Sequence, residues 1–283
     1  MNRARGPLCA ALLVLALGAS PAGASGSVTP TPGLPNTPDY HSLLVDPSDS
    51  KKLVLGTHNG LYVSTDGGRS WRFDALARQD AMNLTRSSGK TIWLAGHDVF
   101  KKSADAGRSW RDVRPAGLPH LDIHGFAVDP RRPATLYAAM ANVGLYRSTN
   151  AGRSFAKVSS RVGGDVMALA AMPDGRILAA DMQRGLLESR NGGRSWRTVL
   201  TARLYGLAVH PTDPRRVLAT SGGIVLSTDG GRSWVATLVL RKGLGPVAWS
   251  PGNPRIAYAV GLDRRLYRSV DSGRSWKPVP PAQ

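Results

Sequence analysis

The chain has 283 residues, 42% of them hydrophobic, which is enough to bury a substantial core. Its formal net charge of +18 steers anionic partners, although solvated arginine-rich loops are the plainer account of it. No basic stripe is interleaved with stacking aromatics, so nucleic acid is excluded as the expected partner, and the lone Cys9 excludes a disulfide scaffold or a cysteine metal site.

In chain order, Arg3 and Arg5 precede an apolar run from Leu8 to Leu17 and the small residues Ala22, Gly23 and Ala24. That layout predicts a cleavable signal peptide over residues 1–24, and hence an exported protein, periplasmic or extracellular. Cys9 lies too early in the apolar run to be a lipid-attachment cysteine. No segment reaches about 18 uninterrupted apolar residues, so no membrane span is expected. Residues 25–38, rich in Gly, Ser, Thr and Pro, read as a flexible leader, and residues 39–283 show no composition break and form one domain.

Within that domain an eight-residue pattern recurs six times, at Ser64–Trp71, Ser103–Trp110, Ser148–Phe155, Ser189–Trp196, Ser227–Trp234 and Ser269–Trp276. The copies start 39, 45, 41, 38 and 42 residues apart, a period of repeat arrays such as propeller blades. Each repeat also carries four short apolar runs bounded by Gly, Pro and Asp. In the third these are His124–Val128, Thr135–Met140, Gly144–Ser148 and Ser154–Val158. Four antiparallel strands per repeat predict a six-bladed all-β propeller, with blades over 39–76, 80–115, 122–159, 165–201, 203–240 and 243–280. The octapeptide then falls on the hairpin between strands three and four. Asp66, Asp105, Asn150, Asn191, Asp229 and Asp271 bond turn backbone there, and the following glycine supplies a positive φ. Closure is expected from packing of blade one on blade six rather than from a swapped strand, with an outer strand added there by the leader as the alternative.

These octapeptides match the Asp-box, or BNR repeat. The chain resembles exported bacterial Asp-box propellers of the sialidase and glycosyl hydrolase-like superfamily. It is more distantly similar to the photosystem II assembly-factor propeller, the sortilin ectodomain and the xyloglucanases. The resemblance implies that the boxes are structural and lie on the face away from any active site. A minority alternative makes their arginines, Arg69, Arg108, Arg153, Arg194, Arg232 and Arg274, an anion-binding ring.

The resemblance also makes chemical demands. Sialidases use an arginine triad, a tyrosine nucleophile with a glutamate partner, and an aspartate acid/base. This chain has a single glutamate, Glu188, directly before the fourth box, and it lacks the early Arg-Ile-Pro signature. A two-aspartate mechanism of the xyloglucanase kind needs carboxylates roughly 5–9 Å apart across a cleft. Asp98, Asp181 and Asp263 are its candidates, in loops between strands two and three. Spare aromatics to stack sugar rings are few: five of seven tryptophans belong to boxes, and Trp93 and Trp249 fall within strands.

Measured from the boxes, a second pattern emerges at the opposite face. Strand one begins at His41, Met82, His124 and Met167 in blades one to four, and Asp39, Asp80, Asp122 and Asp165 stand two residues earlier. The loop between strands two and three adds His58, His97, Met140 and Met182 in the same blades. Imidazole and thioether together suit copper, with the aspartates as orienting partners or ligands. Histidines that merely bond neighbouring backbone and methionines that fill gaps are the competing account.

The expected function is therefore a non-enzymatic exported binding or scaffold module, a monomer, with its ligand face at this channel mouth. His41, His58, His97 and His124 are the leading metal ligands, supported by Met82, Met167 and Met182, and copper or another transition metal is the expected ion. The partner would be an envelope protein or an anionic polymer. The alternatives are a glycoside hydrolase using Asp98, Asp181 or Asp263, and an assembly-factor-like chaperone docking a partner on its basic surface.

Overall fold

The local chemistry of each octapeptide sets the hairpin around it. In the first copy the Ser64 hydroxyl donates to Asp66 Oδ1 at 2.8 Å and accepts the Gly68 N–H at 2.8 Å, while Ser70 Oγ–H donates to Asp66 Oδ2 at 2.5 Å. The copies with asparagine keep the turn by reversing one bond: the Asn150 and Asn191 amides donate to Ser154 and Ser195, each at 2.8 Å. Gly68 and its five equivalents all have positive φ, as the turn requires.

The computed structural model describes residues 29–282, so the signal segment expected over residues 1–24, with Cys9, lies outside the described residues. Twenty-four strands, numbered β1 to β24 in chain order, form six four-stranded sheets in which sequence neighbours pair antiparallel. The third repeat shows how closely apolar runs mark strands: they are β9 (Ile123–Val128), β10 (Leu136–Met140), β11 (Gly144–Ser148) and β12 (Ala156–Ser159). Among the described residues no helix is long and apolar enough to cross a membrane.

Blades pack face to face, so their inner strands are apolar on both sides. Between blades two and three, Trp93 stacks on Phe100 with ring centroids 5.3 Å apart, and Phe126 and Phe155 complete the cluster. Truncating Phe126 there would cost about 3–5 kcal/mol in lost burial and cavity formation.

The ring closes as expected, through β1 (Ser42–Val45) of blade one against β21 (Leu244–Trp249) of blade six, each blade keeping its own four strands. The leader differs from expectation. Thr31 and Leu34 are buried, the Thr31 N–H donates to the Arg264 carbonyl at 2.8 Å, and the Trp71 N–H donates to the Pro32 carbonyl at 3.0 Å. Residues 31–34 are thus fixed across the seam between blades six and one. A prolyl segment has few conformations to lose, and Leu34 joins the apolar cluster of Leu43, Trp71 and Leu266.

Candidate functional site

In an antiparallel four-stranded blade, the start of the first strand and the turn between the second and third share one end. The Asp-box hairpin lies at the other. His41 immediately precedes β1, and His58 sits in the turn between β2 (Leu53–Thr57) and β3 (Gly60–Ser64). His97 occupies the matching turn of blade two, between β6 (Ile92–Gly96) and β7 (Val99–Ser103). His124 enters by a different device. Met140 pairs with Ile123 and Ala139 with Gly125, so His124 is the extra residue of a β-bulge, and bulges re-aim side chains. Met167 takes the same bulge position in blade four.

Backbone contacts between blades bring an aspartate beside each turn histidine. The Ala81 N–H donates to the Thr57 carbonyl at 3.0 Å, which seats Asp80 next to His58. Gly96 forms a parallel bridge with Asp122, which seats Asp122 next to His97. Gly96 itself must lack a side chain, because a Cβ would run into the Asp80 carbonyl.

The result is an arc over blades one to three in which imidazoles and carboxylates alternate. His41 Nε2 lies 3.1 Å from His58 Nε2, and Asp39 Oδ1 is 2.9 Å from His58 Nε2 and 3.8 Å from His41 Nε2. Asp80 Oδ2 is 3.2 Å from His58 Nδ1 and also contacts His97 Nδ1. His97 Nε2 is 3.1 Å from His124 Nε2, and Asp122 Oδ1 is 3.5 Å and 3.2 Å from those two nitrogens. His124 Nδ1 meets the Gly164 carbonyl at 2.6 Å. Burial holds the His41 imidazole below the ordinary histidine value, against the opposing pull of Asp80 and Asp39. Three groups of this arc could each surround a metal ion: Asp39 with His41 and His58, His58 with Asp80 and His97, and His97 with Asp122 and His124.

The Oδ1 atoms of Asp39, Asp80 and Asp122 are all buried and have no hydrogen-bond partner among the described residues. A buried oxygen close to imidazole nitrogens yet outside hydrogen-bonding geometry carries the full cost of lost hydration. The sequence marks these aspartates by their place two residues before His41, Met82 and His124, but not that one oxygen of each is left unpaired. The Gly164 carbonyl, which orients His124, was equally invisible there, since it lies 40 residues away.

The methionines occupy other places. Met82 and Met167 line the central cavity below the mouth together with His41, and Met82 is buried. Met182 lies in the turn after β14 (Ile177–Asp181), its N–H on the Asp165 carbonyl at 2.9 Å. Met140 is fully buried in the apolar cluster between blades two and three, because it is the last residue of β10, the strand position of buried Thr57 and Gly96, rather than a turn residue like His58 and His97; it is a core residue.

The three loop aspartates are spread over blades two, four and six, no two of them in neighbouring blades. Asp98 is an exposed turn residue with φ of 53°. Asp181 is fully buried and spent: its Oδ1 accepts the N–H groups of Gln183 and Arg184 at 2.9 and 2.8 Å, and its Oδ2 accepts the Arg184 guanidinium at 2.7 Å. Asp263 accepts the Arg265 N–H and, at 2.7 Å, the Tyr267 hydroxyl.

At the other end of the blades, Glu188 is buried among Arg176, Arg190 and Arg197, with contacts of 2.6–2.9 Å. Burial pushes its carboxyl up, but the three guanidiniums outweigh burial and hold it at about 2. His210 is a structural histidine, contacting the Pro254 carbonyl at 3.0 Å and the Trp249 ring. The six box arginines are all exposed.

A family model described as the photosynthesis system II assembly factor YCF48 matches residues 39–282. No curated protein matches the chain in sequence. Among solved structures, a GH74 xyloglucanase from Xanthomonas campestris is similar with a TM-score of 0.62 and 20% identity. The match covers 90% of this chain and 46% of the enzyme, so the chain spans less than half of that protein's length. YCF48 from Cyanidioschyzon merolae is similar with a TM-score of 0.56 and 18% identity, over 89% of this chain and 88% of that one. A YCF48 bound to D1 peptide gives 0.54 and 18%, over 87% and 82%. Identities this low establish a shared fold alone. The family match spans nearly the whole described chain: this protein belongs to the YCF48 assembly-factor family.

Proposed function

We propose that this chain is a non-enzymatic, exported binding propeller whose working face is the channel mouth, and that its ligand there is a divalent transition-metal cation. One observation carries the reading. Three buried carboxylate oxygens, on Asp39, Asp80 and Asp122, lack hydrogen-bond partners while facing imidazole nitrogens at 2.9–3.8 Å. Cations held among these carboxylates and imidazoles would satisfy them. The donors are nitrogen and oxygen, a set that suits Cu(II) and Zn(II) better than Cu(I), and Cu(II) stands highest in the affinity order. The methionines would then shape the cavity beneath the ion rather than ligate it.

Thermal melts of the untagged protein test this reading. Saturating Cu(II) or Zn(II) at about 100 times Kd should add about 2.7 kcal/mol, a shift of several degrees. The shift should disappear in a His41→Ala/His124→Ala double variant. An unchanged melting temperature, or a shift indifferent to those histidines, rules the metal out.

A second reading is supported by family membership and by the six exposed box arginines: a scaffold that docks an acidic protein partner on its Asp-box face. Such docking weakens as salt screens the charges. Partner capture that survives high salt, or survives replacing Arg69, Arg232 and Arg274 with alanine, contradicts it.

A further inference from the structure

We propose that the arc holds two ions, in two separate His2Asp sites that share Asp80 as their common orienting partner. This rests on the reading that the arc binds metal at all. A carbonyl oxygen only accepts, so the His124 nitrogen 2.6 Å from the Gly164 carbonyl carries the proton, and Nε2 bears the lone pair. His97 is fixed in the same sense: its Nδ1 rests on Asp80 Oδ2, which leaves Nε2 as the donor.

The two Nε2 atoms of His97 and His124 thus face each other at 3.1 Å, with the unpartnered Asp122 Oδ1 at 3.5 and 3.2 Å. Three ligand atoms bound tetrahedrally at about 2.0–2.1 Å stand about 3.3 Å from one another. The observed triangle has that size. A proton shared between the two imidazoles would relieve their lone-pair repulsion but would still leave Asp122 Oδ1 without a partner.

The first site repeats the construction from the other side of Asp80. His58 Nδ1 rests on Asp80 Oδ2 at 3.2 Å, which leaves its Nε2 for Asp39 Oδ1 at 2.9 Å, while His41 Nε2 lies 3.1 Å from both ring nitrogens of His58. Here the triangle is less regular, with Asp39 Oδ1 3.8 Å from His41 Nε2, and Asp80 Oδ1, buried and unpartnered among the described residues, stands 3.5 Å from His41 Nε2 as a further oxygen. The middle group, His58, Asp80 and His97, is not a third site, because both imidazoles turn their Nδ1–H toward the carboxylate. Each site draws an Asp-x-His pair from blade one or three and one turn histidine from blade one or two. The site of blades two and three has the more regular triangle and a backbone-locked histidine, and it fills first.

The test is stoichiometry, by equilibrium dialysis of the untagged, chelator-stripped protein against Zn(II) and, separately, Cu(II), with bound metal measured per chain. Two equivalents are expected. His41→Ala and His124→Ala should each retain one, and the double variant none. Asp80→Asn should weaken both sites by 10–100-fold, the cost of losing an outer partner. Zero equivalents in the unaltered protein would overturn the metal reading altogether. One equivalent, or loss of all metal in either single variant while circular dichroism stays native, overturns the two-site inference and leaves that reading standing. A variant that does not fold is replaced by His41→Gln or His124→Gln, and the count on the unaltered protein decides independently of any variant.

Discussion

Aspartates build both ends of this propeller, and they do so in opposite ways. At the box end, Asp66 is saturated: its Oδ1 accepts the Ser64 hydroxyl and the N–H groups of Arg69 and Ser70, and its Oδ2 accepts the Ser70 hydroxyl. At the mouth, Asp39, Asp80 and Asp122 each keep one buried oxygen with no hydrogen bond. A saturated carboxylate completes a turn and has nothing left to offer a ligand. An unsaturated one costs stability until a cation arrives, which is the usual exchange of stability for function at a binding site.

Substitutions break the comparison in graded steps. The largest effect is expected at Glu188, whose removal leaves three arginines around a buried gap. Glu188→Gln should cost about 3 kcal/mol in denaturant unfolding, and a loss below about 1 kcal/mol would show that the arginines are held by solvent instead. Next comes a box carboxylate. Asp229→Ala removes bonds from the Ser227 and Ser233 hydroxyls and two N–H groups, and should cost about 2 kcal/mol, lowering the melting temperature by about 4–8 °C.

Acid tests the same carboxylates together. Burial pushes Asp229 and Asp271 up, but the hydroxyls of Ser233 and Ser275 and nearby N–H groups outweigh it and hold both at about 2. Groups that ionise below their unfolded values contribute fully above about pH 4.5 and lose that contribution as pH falls toward 2. Denaturation at pH 6, 4, 3 and 2 should therefore show stability level at first and then falling through this window. A decline beginning above pH 5 would point to other groups. The smallest effect is expected at the mouth: without metal, Asp80→Asn should lie within about 0.5 kcal/mol of the parent or above it, since it removes a buried, partly unpaired charge. A loss of 2 kcal/mol or more would make Asp80 a turn-building carboxylate like Asp229 and erase the contrast.

What could be read in the sequence follows how local the chemistry is. The box turns are closed by residues two to four apart, so Ser, Asp and Gly spacing alone predicted the six hairpins, and the strands followed to within one or two residues. The mouth histidines were legible because the boxes set a common register. Their geometry was not, since it depends on contacts across blades, such as Ala81 on Thr57, and on the bulges at His124 and Met167. Spacing misled once: Met140 reads as a rim residue, but it ends β10 one residue short of the turn and is buried. Asp181 did carry a local warning in Arg184 three residues on, the same Asp-x-x-Arg clamp that joins Asp129 to Arg132. The leader could not be read correctly because Thr31 meets Arg264 from the far end of the chain.

Crystals grown with Zn(II) or Cu(II), with anomalous difference maps collected at the metal edge, test the central claim most directly. A peak is predicted within about 2.0–2.2 Å of His97 Nε2, His124 Nε2 and Asp122 Oδ1, and a second among Asp39, His41 and His58. Maps from metal-saturated crystals with no peak at either place, and the histidines joined instead by ordered water, would contradict it.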